Sequence, residues 1–394
     1  MKKIISVLLL VIIVLSFGTI AFAENDINFK AEDNGFYSSA NINLDFDAGA
    51  VYLCEATTGK VLYANNEFNA ASPASVTKVM TLLLVCEALS EGRINLEDQV
   101  RISANAASMG GSQVFLEEGE KITVADLLKS TVIASGNDAA VALAELCCGS
   151  ESAFVSMMNK RAMELGLKNT NFENTTGLDD TVTNHYSCAA DIATMSRELI
   201  KHEIILEYAS IWQDTIRNGE FTLTNTNRLV RYYEGCNGLK TGSTDKAGYC
   251  VSATAKRGNM QLVAVVMGAR TRDERNQIAR TLLDFGFANF ALYEKGEEFI
   301  ENIPVKKGEL DYVPVYSTSF TTVMEKSNIN SIECIYEIPD NLNAPINQGD
   351  VCGRVIYQIG GRQIGVSDIY VKEAVGKISF IKILGRILKR MILG

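Results

Sequence analysis

The order of strand-like and helix-like segments most limits how this chain can fold. Strand patterns fall at residues 51–53, 61–63, 238–243, 248–255 and 260–268. Helical periodicity falls at residues 124–165, 187–202 and 272–287. Strands at both ends of a long helical insertion, followed by a closing helix, favour an α+β fold. In this fold one mixed sheet lies beside a helical cluster.

The composition changes near residues 294–297, where charged residues and a glycine interrupt the pattern. Residues 297–372 contain several short alternating strand patterns and no convincing helix, so we expect a small all-β domain there. A chain of 394 residues is long enough for two domains with separate cores. The first of these would span residues 46–292.

The first residues have the pattern of an export signal. Lys2 and Lys3 precede an apolar run over residues 4–20, and Ala21-Phe22-Ala23 has the small-x-small form of a cleavage site. We therefore expect a signal peptide at residues 1–23 and a polar lead-in at residues 24–45. The alternative is an uncleaved anchor helix. The protein would act outside the cytoplasm in either case.

The last segment, residues 376–394, predicts a basic amphipathic helix. Its apolar face comprises Phe380, Ile381, Leu384, Ile387, Leu388, Met391 and Ile392. Its basic face comprises Lys382, Arg386, Lys389 and Arg390. Such a helix is suited to lying in an anionic membrane surface and is too short and too charged to span it. The alternative is a helix packed on the protein or on a partner.

Charge and cysteine usage exclude other classes of function. The net charge of −10 argues against nucleic acid as a partner. The nine cysteines lie mostly within apolar segments, and no Cys-x-x-Cys spacing occurs. We interpret them mainly as small buried side chains. We expect no metal, because no His, Asp and Glu cluster has ligand spacing, and we expect no cofactor.

A serine and a lysine three residues apart, Ser75 and Lys78, form the first candidate for catalysis. We expect Ser72 to cap a helix that has Pro73 at its first position and continues into an apolar run. Residues i and i+3 are neighbours on a helix surface. A lysine that is buried enough to lose its proton can serve as the base for an adjacent serine. Other Ser-x-x-Lys matches begin at Ser243 and Ser379.

Two further motifs follow in the chain. Ser135-Gly136-Asn137 lies at a tight turn between two helical runs, where its side chains can be held rigidly. Lys240-Thr241-Gly242 lies in an expected strand that is followed by a polar turn. Glycine at the third position lets a ligand lie alongside the backbone as an added edge strand, which makes Gly242 a candidate for substrate binding.

Other catalytic chemistries fit the sequence less well. A Ser–His–Asp triad would have to use His185 or His202, and neither lies in a nucleophile-elbow context. We expect His185 to cap or pack. Cys188 lies near His185 in sequence, but adjacency in sequence is not the spatial pairing that a cysteine protease needs.

The order Ser-x-x-Lys, Ser-x-Asn, Lys-Thr-Gly is typical of penicilloyl-serine transferases. The chain resembles the low-molecular-mass penicillin-binding proteins that are serine-type D-alanyl-D-alanine carboxypeptidases. The stretches that carry the resemblance are ASPASVTKVMT, IASGNDAAVALAE, GLKTGSTDKAGYC and VVMGARTRDER. The resemblance covers nearly the whole chain. It implies a β-lactamase-like fold for residues 46–292, a small β domain and a terminal anchoring helix.

The resemblance also implies roles in acyl transfer. Ser75 would be the acylated nucleophile, and a neutral Lys78 would take its proton. Ser135 would relay a proton to the leaving amine. The backbone N–H groups of Ser75 and Ser243 would form the oxyanion hole.

Substrate binding is implied for a second group of residues. Asn137 would hold the substrate amide, and Lys240 with Thr241 would bind the substrate and tune the field at the site. A cation is needed for the terminal carboxylate. Arg275 matches the family's position best by its spacing from Lys240, and Arg270 is the nearby rival.

The implied activity is removal of the terminal D-alanine from peptidoglycan pentapeptide stems through an acyl-serine intermediate, with β-lactam antibiotics as acylating inhibitors. The alternatives are a transpeptidase and a catalytically idle penicillin-binding surface protein. The expected location is the outer face of the cytoplasmic membrane.

The middle motif is Ser-Gly-Asn, where many β-lactamases have Ser-Asp-Asn, and the Glu-x-x-Leu-Asn segment of one β-lactamase class is absent. Drug hydrolysis is therefore not expected as the main role.

Overall fold

The computed structural model describes residue 44, residues 46–180 and residues 182–393. The expected signal peptide and nearly all of the expected lead-in lie outside the described residues. Within the described part, a helical segment lies between groups of consecutive strands, as in an α+β fold, so the expected fold class is confirmed.

A five-stranded sheet forms the centre of the first domain. Its strands are β1 (Ala50–Glu55), β2 (Val61–Asn65), β7 (Cys236–Thr244), β8 (Gly248–Arg257) and β9 (Met260–Ala269). They are arranged in the order β2-β1-β9-β8-β7. Every pairing is antiparallel, so the sheet is antiparallel rather than mixed. The reason is that β7, β8 and β9 follow one another through short turns, which return each strand beside the last.

Two small two-stranded sheets lie outside this sheet. Their strands are β3 (Gln99–Arg101) with β4 (Lys121–Thr123), and β5 (Gln213–Ile216) with β6 (Phe221–Thr224).

The helices of the described chain are α1 (Lys78–Ser90), α2 (Ala104–Ala107), α3 (Val124–Val132), α4 (Asn137–Cys148), α5 (Glu151–Glu164), α6 (Ala189–Leu199), α7 (Glu203–Ala209), α8 (Leu229–Tyr232), α9 (Arg272–Asn289) and α10 (Phe380–Leu393). Short 3₁₀ turns occur at Ala74–Thr77, Arg217–Gly219 and Lys326–Ser331.

Helix α1 is buried on nearly every side, as expected for a helix that is apolar all round. Helices α6 and α9 pack against β8 and β9, and α9 begins with a capping box built by Thr271 and Glu274.

The start of α1 differs from the expectation. A 3₁₀ turn over Ala74–Thr77 precedes the helix, Pro73 stands before this turn, and Ser72 makes no capping hydrogen bond. The Ser72 hydroxyl instead lies 3.4 Å from Asp179 Oδ2. Tertiary packing explains the difference, because a Cβ at Gly177 would lie only 1.8 Å from Ala74 O. This close approach sets the backbone path in place of a local cap.

The C-terminal part of the chain is mostly β-structure. Its strands are β10 (Phe290–Lys295), β11 (Glu298–Lys306), β12 (Tyr312–Ser317), β13 (Phe320–Glu325), β14 (Glu333–Glu337), β15 (Leu342–Asn343), β16 (Val351–Ile359) and β17 (Arg362–Val371). Six of them form a sheet in the order β14-β16-β17-β12-β11-β15, and β10 pairs with β13. A separate buried core includes Val313, Val355 and Tyr357. The expected all-β domain is confirmed.

The two parts are joined without a linker. Helix α9 ends at Asn289 and β10 begins at Phe290. Strand β10 pairs along its length with β13, and Lys326 Nζ donates to Phe287 O at 2.6 Å. The composition change at residues 294–297 therefore falls in the turn between β10 and β11.

Helix α10 ends the described chain. Its side chains Phe380, Ile381 and Met391 are strongly exposed. In the described part of the chain, no single helix combines the length and apolar character needed to cross a bilayer, although the bent pair α4 and α5 meets that test by length and composition alone.

Candidate active site

The hydroxyl of Ser75 and the amine of Lys78 face each other at the start of α1. Lys78 Nζ lies 2.9 Å from Ser75 Oγ. Ser75 belongs to the 3₁₀ turn and Lys78 is the first residue of α1. Side chains at i and i+3 eclipse in a 3₁₀ turn, so this geometry brings the two groups closer than a regular α-helix would.

Two oxygen atoms hold Lys78 Nζ in place. Asn137 Oδ1 accepts a hydrogen bond from it at 2.6 Å, and Thr176 O accepts another at 2.9 Å. The lysine is completely buried, and burial lowers its pKa well below its usual range. The charge of Lys240 lowers this pKa further, while Asp138 opposes the shift. A neutral amine has two N–H groups and one lone pair. A neutral Lys78 can therefore donate to these two oxygens and still accept a hydrogen bond from the Ser75 hydroxyl through its lone pair.

Ser135 and Lys240 meet across the cleft. Lys240 Nζ donates to Ser135 Oγ at 2.8 Å and to Thr241 O at 3.0 Å. Ser135 has φ of 63°, in the left-handed region, a strained conformation that the surrounding structure must impose. Burial, and after it the Arg275 charge, together lower the pKa of Lys240 to about 7.

The side chains that follow Ser135 hold a neighbouring loop. Asn137 Nδ2 donates to Gly110 O at 2.6 Å, and Asp138 Oδ2 accepts from the backbone N–H groups of Val114 and Leu116. Asn137 therefore contacts both Lys78 and the loop. Its Oδ1 accepts from Lys78, and one of its two Nδ2 N–H groups donates to the loop.

Strand β7 forms the other wall of the cleft. It is the edge strand of the central sheet, and it lies beside the 3₁₀ turn that carries Ser75. A Cβ at Gly242 would lie 2.6 Å from Ser75 N and 2.9 Å from Val76 N. Only glycine permits this approach without moving backbone, which explains the residue type. Thr241 is buried and donates to Thr226 Oγ1 at 2.8 Å, whereas Ser243 is exposed.

These groups open into one cavity of about 550 Å³. It is lined by Ser75, Ser112, Ser135, Trp212, Thr224, Asn225, Thr226, Arg228, Tyr232, Thr241, Gly242, Ser243, Arg272 and Arg275. The lining contains three arginines and no carboxylate. The cavity is therefore suited to an anionic ligand.

The two arginine candidates lie in different surroundings. Arg275 is 3% exposed and lines the cavity. Burial, and after it the Arg272 charge, together lower its pKa to about 10, which still leaves it charged at neutral pH. The side chain of Arg270 is 72% exposed and forms an ion pair with Asp47 at 2.5 Å. It does not line the cavity.

His185 is buried behind the turn that carries Ser75. Its Nε2 lies 2.7 Å from Thr77 Oγ1, and its Nδ1 accepts from the backbone N–H of Glu173 at 3.0 Å. The second contact makes Nδ1 the acceptor, so Nε2 carries the proton and donates to Thr77. The ring thus packs and ties the turn to its neighbours. Burial lowers its pKa to about 4.

Sequence reasoning missed several residues of the site. The carbonyl of Thr176 contacts Lys78 although the two residues are 98 positions apart, and no local pattern signals such a contact. The cavity residues Arg228 and Arg272 also escaped notice. Arg272 had a weak signal, since it lies near the Arg275 that spacing had selected.

Metal ligands are not gathered at this site. No group of three or more His, Cys, Asp or Glu side chains is placed to hold a metal ion anywhere in the described residues.

Comparison with known proteins gives two matching families. The D-alanyl-D-alanine carboxypeptidase model of Peptidase S11 matches residues 37–271. The model of the C-terminal domain of penicillin-binding protein 5 matches residues 287–377. D-alanyl-D-alanine carboxypeptidase DacF of Bacillus subtilis is 42% identical over 393 residues, which cover 98% of each chain.

Solved structures show the same likeness. The structure of penicillin-binding protein 5 from Haemophilus influenzae has a TM-score of 0.74 and 34% identity, and the match covers 84% of this chain and 98% of that one. The ampicillin-bound penicillin-binding protein D2 from Listeria monocytogenes has a TM-score of 0.58 and 31% identity. That match covers 62% of this chain and 99% of that one.

Proposed function

Because this chain belongs to the Peptidase S11 family of D-alanyl-D-alanine carboxypeptidases, we propose that it removes the terminal D-alanine from peptidoglycan stem peptides with Ser75 as its nucleophile. The chain is a serine-type carboxypeptidase by family. The assignment of roles to individual residues is our proposal. It rests mainly on one observation: Lys78 is fully buried, and its Nζ lies 2.9 Å from Ser75 Oγ.

Acylation begins with proton transfer from Ser75 Oγ to Lys78 Nζ. The Ser75 oxygen attacks the carbonyl carbon of the penultimate D-alanine, and the carbonyl oxygen becomes an oxyanion. The backbone N–H groups of Ser75 and Ser243 would stabilise this charge. Support comes from the close approach of β7 at Gly242 to Ser75 N, which places the two backbone segments side by side.

Departure of D-alanine requires a proton on its amine, and Ser135 would deliver it. Lys240 Nζ donates to Ser135 Oγ, so the Ser135 proton is directed elsewhere and can point into the cavity. Lys78, which received the Ser75 proton, supplies the replacement. Water then hydrolyses the acyl-enzyme and restores Ser75.

The terminal carboxylate of the substrate would pair with Arg275, helped by Thr241. Arg275 is buried, charged and part of the cavity lining. The exposed ion pair of Arg270 with Asp47 makes it the weaker candidate. Asn137 positions Lys78, and the second N–H group of its amide would contact the substrate amide.

Release of D-alanine from a peptide ending in D-Ala-D-Ala tests the peptidase activity. We expect Ser75→Ala to abolish release and Ser379→Ala, at another Ser-x-x-Lys match, to keep it. Intact-mass analysis after incubation with penicillin should show one adduct, which peptide mapping places on Ser75. Equal release by wild type and Ser75→Ala would refute the proposal.

The same assays separate the two alternatives. An idle penicillin-binding protein would form the adduct without releasing D-alanine. A transpeptidase would give a new peptide product when an acceptor amine is added, whereas a carboxypeptidase would give mainly the hydrolysed peptide.

We propose that residues 1–23 direct export and that α10 anchors the protein to the outer face of the cytoplasmic membrane, with domains at residues 46–292 and 297–372. The exposed apolar side chains of α10 support the anchor. Deleting residues 377–394 from the form that lacks residues 1–23 should release it from anionic vesicles and preserve peptidase activity. Unchanged vesicle binding would refute the anchor.

A further inference from the structure

The turn between β11 and β12 lies beside the start of helix α10. We define it as residues 306–312, so that it includes the last residue of β11 and the first residue of β12. Gly308 forms an antiparallel bridge with Lys377. Ile378 N donates to Lys307 O at 2.9 Å, and Glu309 N donates to Gly376 O at 2.9 Å. The segment that leads into α10 is therefore bound to this turn by backbone hydrogen bonds.

Side chains extend the contact into the helix itself. Lys382 Nζ forms an ion pair with Glu309 at 2.8 Å. Lys382 belongs to the first turn of α10, so the beginning of the helix lies against the β11–β12 turn. Whatever surface α10 binds is thus brought close to this turn.

The turn exposes apolar side chains at this position. Leu310 is 45% exposed and Tyr312 is 60% exposed. Lys306 and Lys307 are exposed beside them, although Glu309 and Asp311 on the same turn balance their charge. A leucine, a tyrosine and flanking lysines are the residue types that partition into the interface of an anionic bilayer.

The shape of the turn is fixed rather than loose. Lys307 has φ of 59°, in the left-handed region, a strained conformation for a residue with a side chain. A Cβ at Gly308 would lie 2.6 Å from Val305 Cγ1 and 2.9 Å from Leu310 O. The exposed side chains are therefore presented by a rigid turn.

We infer that the β11–β12 turn is a second membrane contact, which inserts Leu310 and Tyr312 into the interface of an anionic bilayer beside α10. This inference rests on the anchoring role proposed for α10. Two joined contacts fix the orientation of the β domain on the bilayer, whereas one helix alone would leave it free to tilt. Membrane binding by two weak elements is also stronger than binding by either alone.

Tryptophan substitution tests the inference in the protein without residues 1–23. Leu310→Trp is added to vesicles of phosphatidylglycerol and phosphatidylcholine, and the emission of the parent, which contains only Trp212, is subtracted. We expect a blue shift and quenching by brominated lipids. Val366→Trp is the matched control. Val366 is exposed near the other end of the same sheet, and its emission should not change.

Affinity provides a second measurement. Leu310→Ser combined with Tyr312→Ser should weaken vesicle binding about tenfold, because two partly buried apolar groups are lost, while Val366→Ser should not. Acylation by labelled penicillin should be unchanged in all variants, which shows that they are folded. If the protein binds vesicles through α10 but Leu310→Trp shows no shift, the inference is wrong and the anchor stands. If the parent does not bind at all, both are wrong.

Discussion

The charge of Lys240 lowers the pKa of Lys78, and both lysines are fully buried in the same cleft. Each lysine touches a different serine, Ser75 in one case and Ser135 in the other. Burying two like charges in one cleft is unfavourable, so a positive charge on one lysine lowers the pKa of the other.

This coupling predicts a shift in the pH profile of acylation. Lys240 is charged below its pKa of about 7, so replacing it with methionine removes a repulsion in that range and raises the pKa of Lys78. The acid limb of the penicillin acylation rate should therefore move to higher pH in Lys240→Met. Lys240→Arg keeps the charge and should leave the limb in place. If the acid limb of the acylation rate lay at the same pH in Lys240→Met as in the wild type, the coupling of Lys240 with Lys78 would be disproved.

Arg275 should determine recognition of the substrate carboxylate. We expect Arg275→Gln to lower kcat/KM for a D-Ala-D-Ala peptide about 10- to 100-fold, the usual effect of losing a hydrogen bond to a charged group in a dry site. The loss should shrink when the peptide ends in an amide. Arg270→Gln, which removes an exposed ion pair, should behave as wild type. The opposite ranking of the two variants would reassign the role.

Gly242→Ala should damage the cleft by sterics alone. The added methyl would lie 2.6 Å from Ser75 N, so β7 or the 3₁₀ turn must move. We expect acylation to slow at least tenfold and unfolding to occur at lower temperature. Gly296→Ala is the matched control, because nothing lies within 4 Å of its Cβ position. Penicillin acylation and thermal melts measure both effects. If Gly242→Ala were acylated at the normal rate, β7 would accommodate the added methyl group and the steric explanation would be wrong.

His185 should make stability depend on pH below neutrality. Burial lowers its pKa to about 4 in the folded protein, from an ordinary value of 6.5. Between pH 6.5 and pH 4 the unfolded chain binds a proton that the folded chain excludes. The contribution of His185 to the free energy of unfolding is therefore fully present above pH 6.5 and decreases as the pH falls towards 4. The loss is about 2–3 kcal/mol.

Denaturant unfolding between pH 4 and 7 measures this slope. His185→Gln should flatten it. His202→Gln should change it less, since that ring is less buried and contacts Ser90 Oγ at 3.2 Å. A slope that persists in His185→Gln would assign the effect to other groups.

Most elements of the fold follow from local patterns. Periodicity identified the strands of the central sheet and the helix now seen at Arg272–Asn289, because each has one buried face or a continuous apolar run. The start of α1 did not follow, because the packing of Gly177 on Ala74 O overrides the capping preference of Ser72.

The contacts of the active site likewise include some that local sequence predicts and some that it does not. Spacing of three residues joins Ser75 to Lys78, and this contact depends only on helical geometry. The contacts of Lys78 with Asn137 and Thr176 join distant segments. Such contacts depend on tertiary packing, which one sequence does not reveal.

The absence of any residue between α9 at Asn289 and β10 at Phe290 has a mechanical consequence. No flexible tether separates the peptidase from the β domain at this junction. With α10 anchored as proposed, the catalytic cleft would therefore stand at a set height above the lipid, and new stem peptides would be reached by lateral diffusion of the whole enzyme.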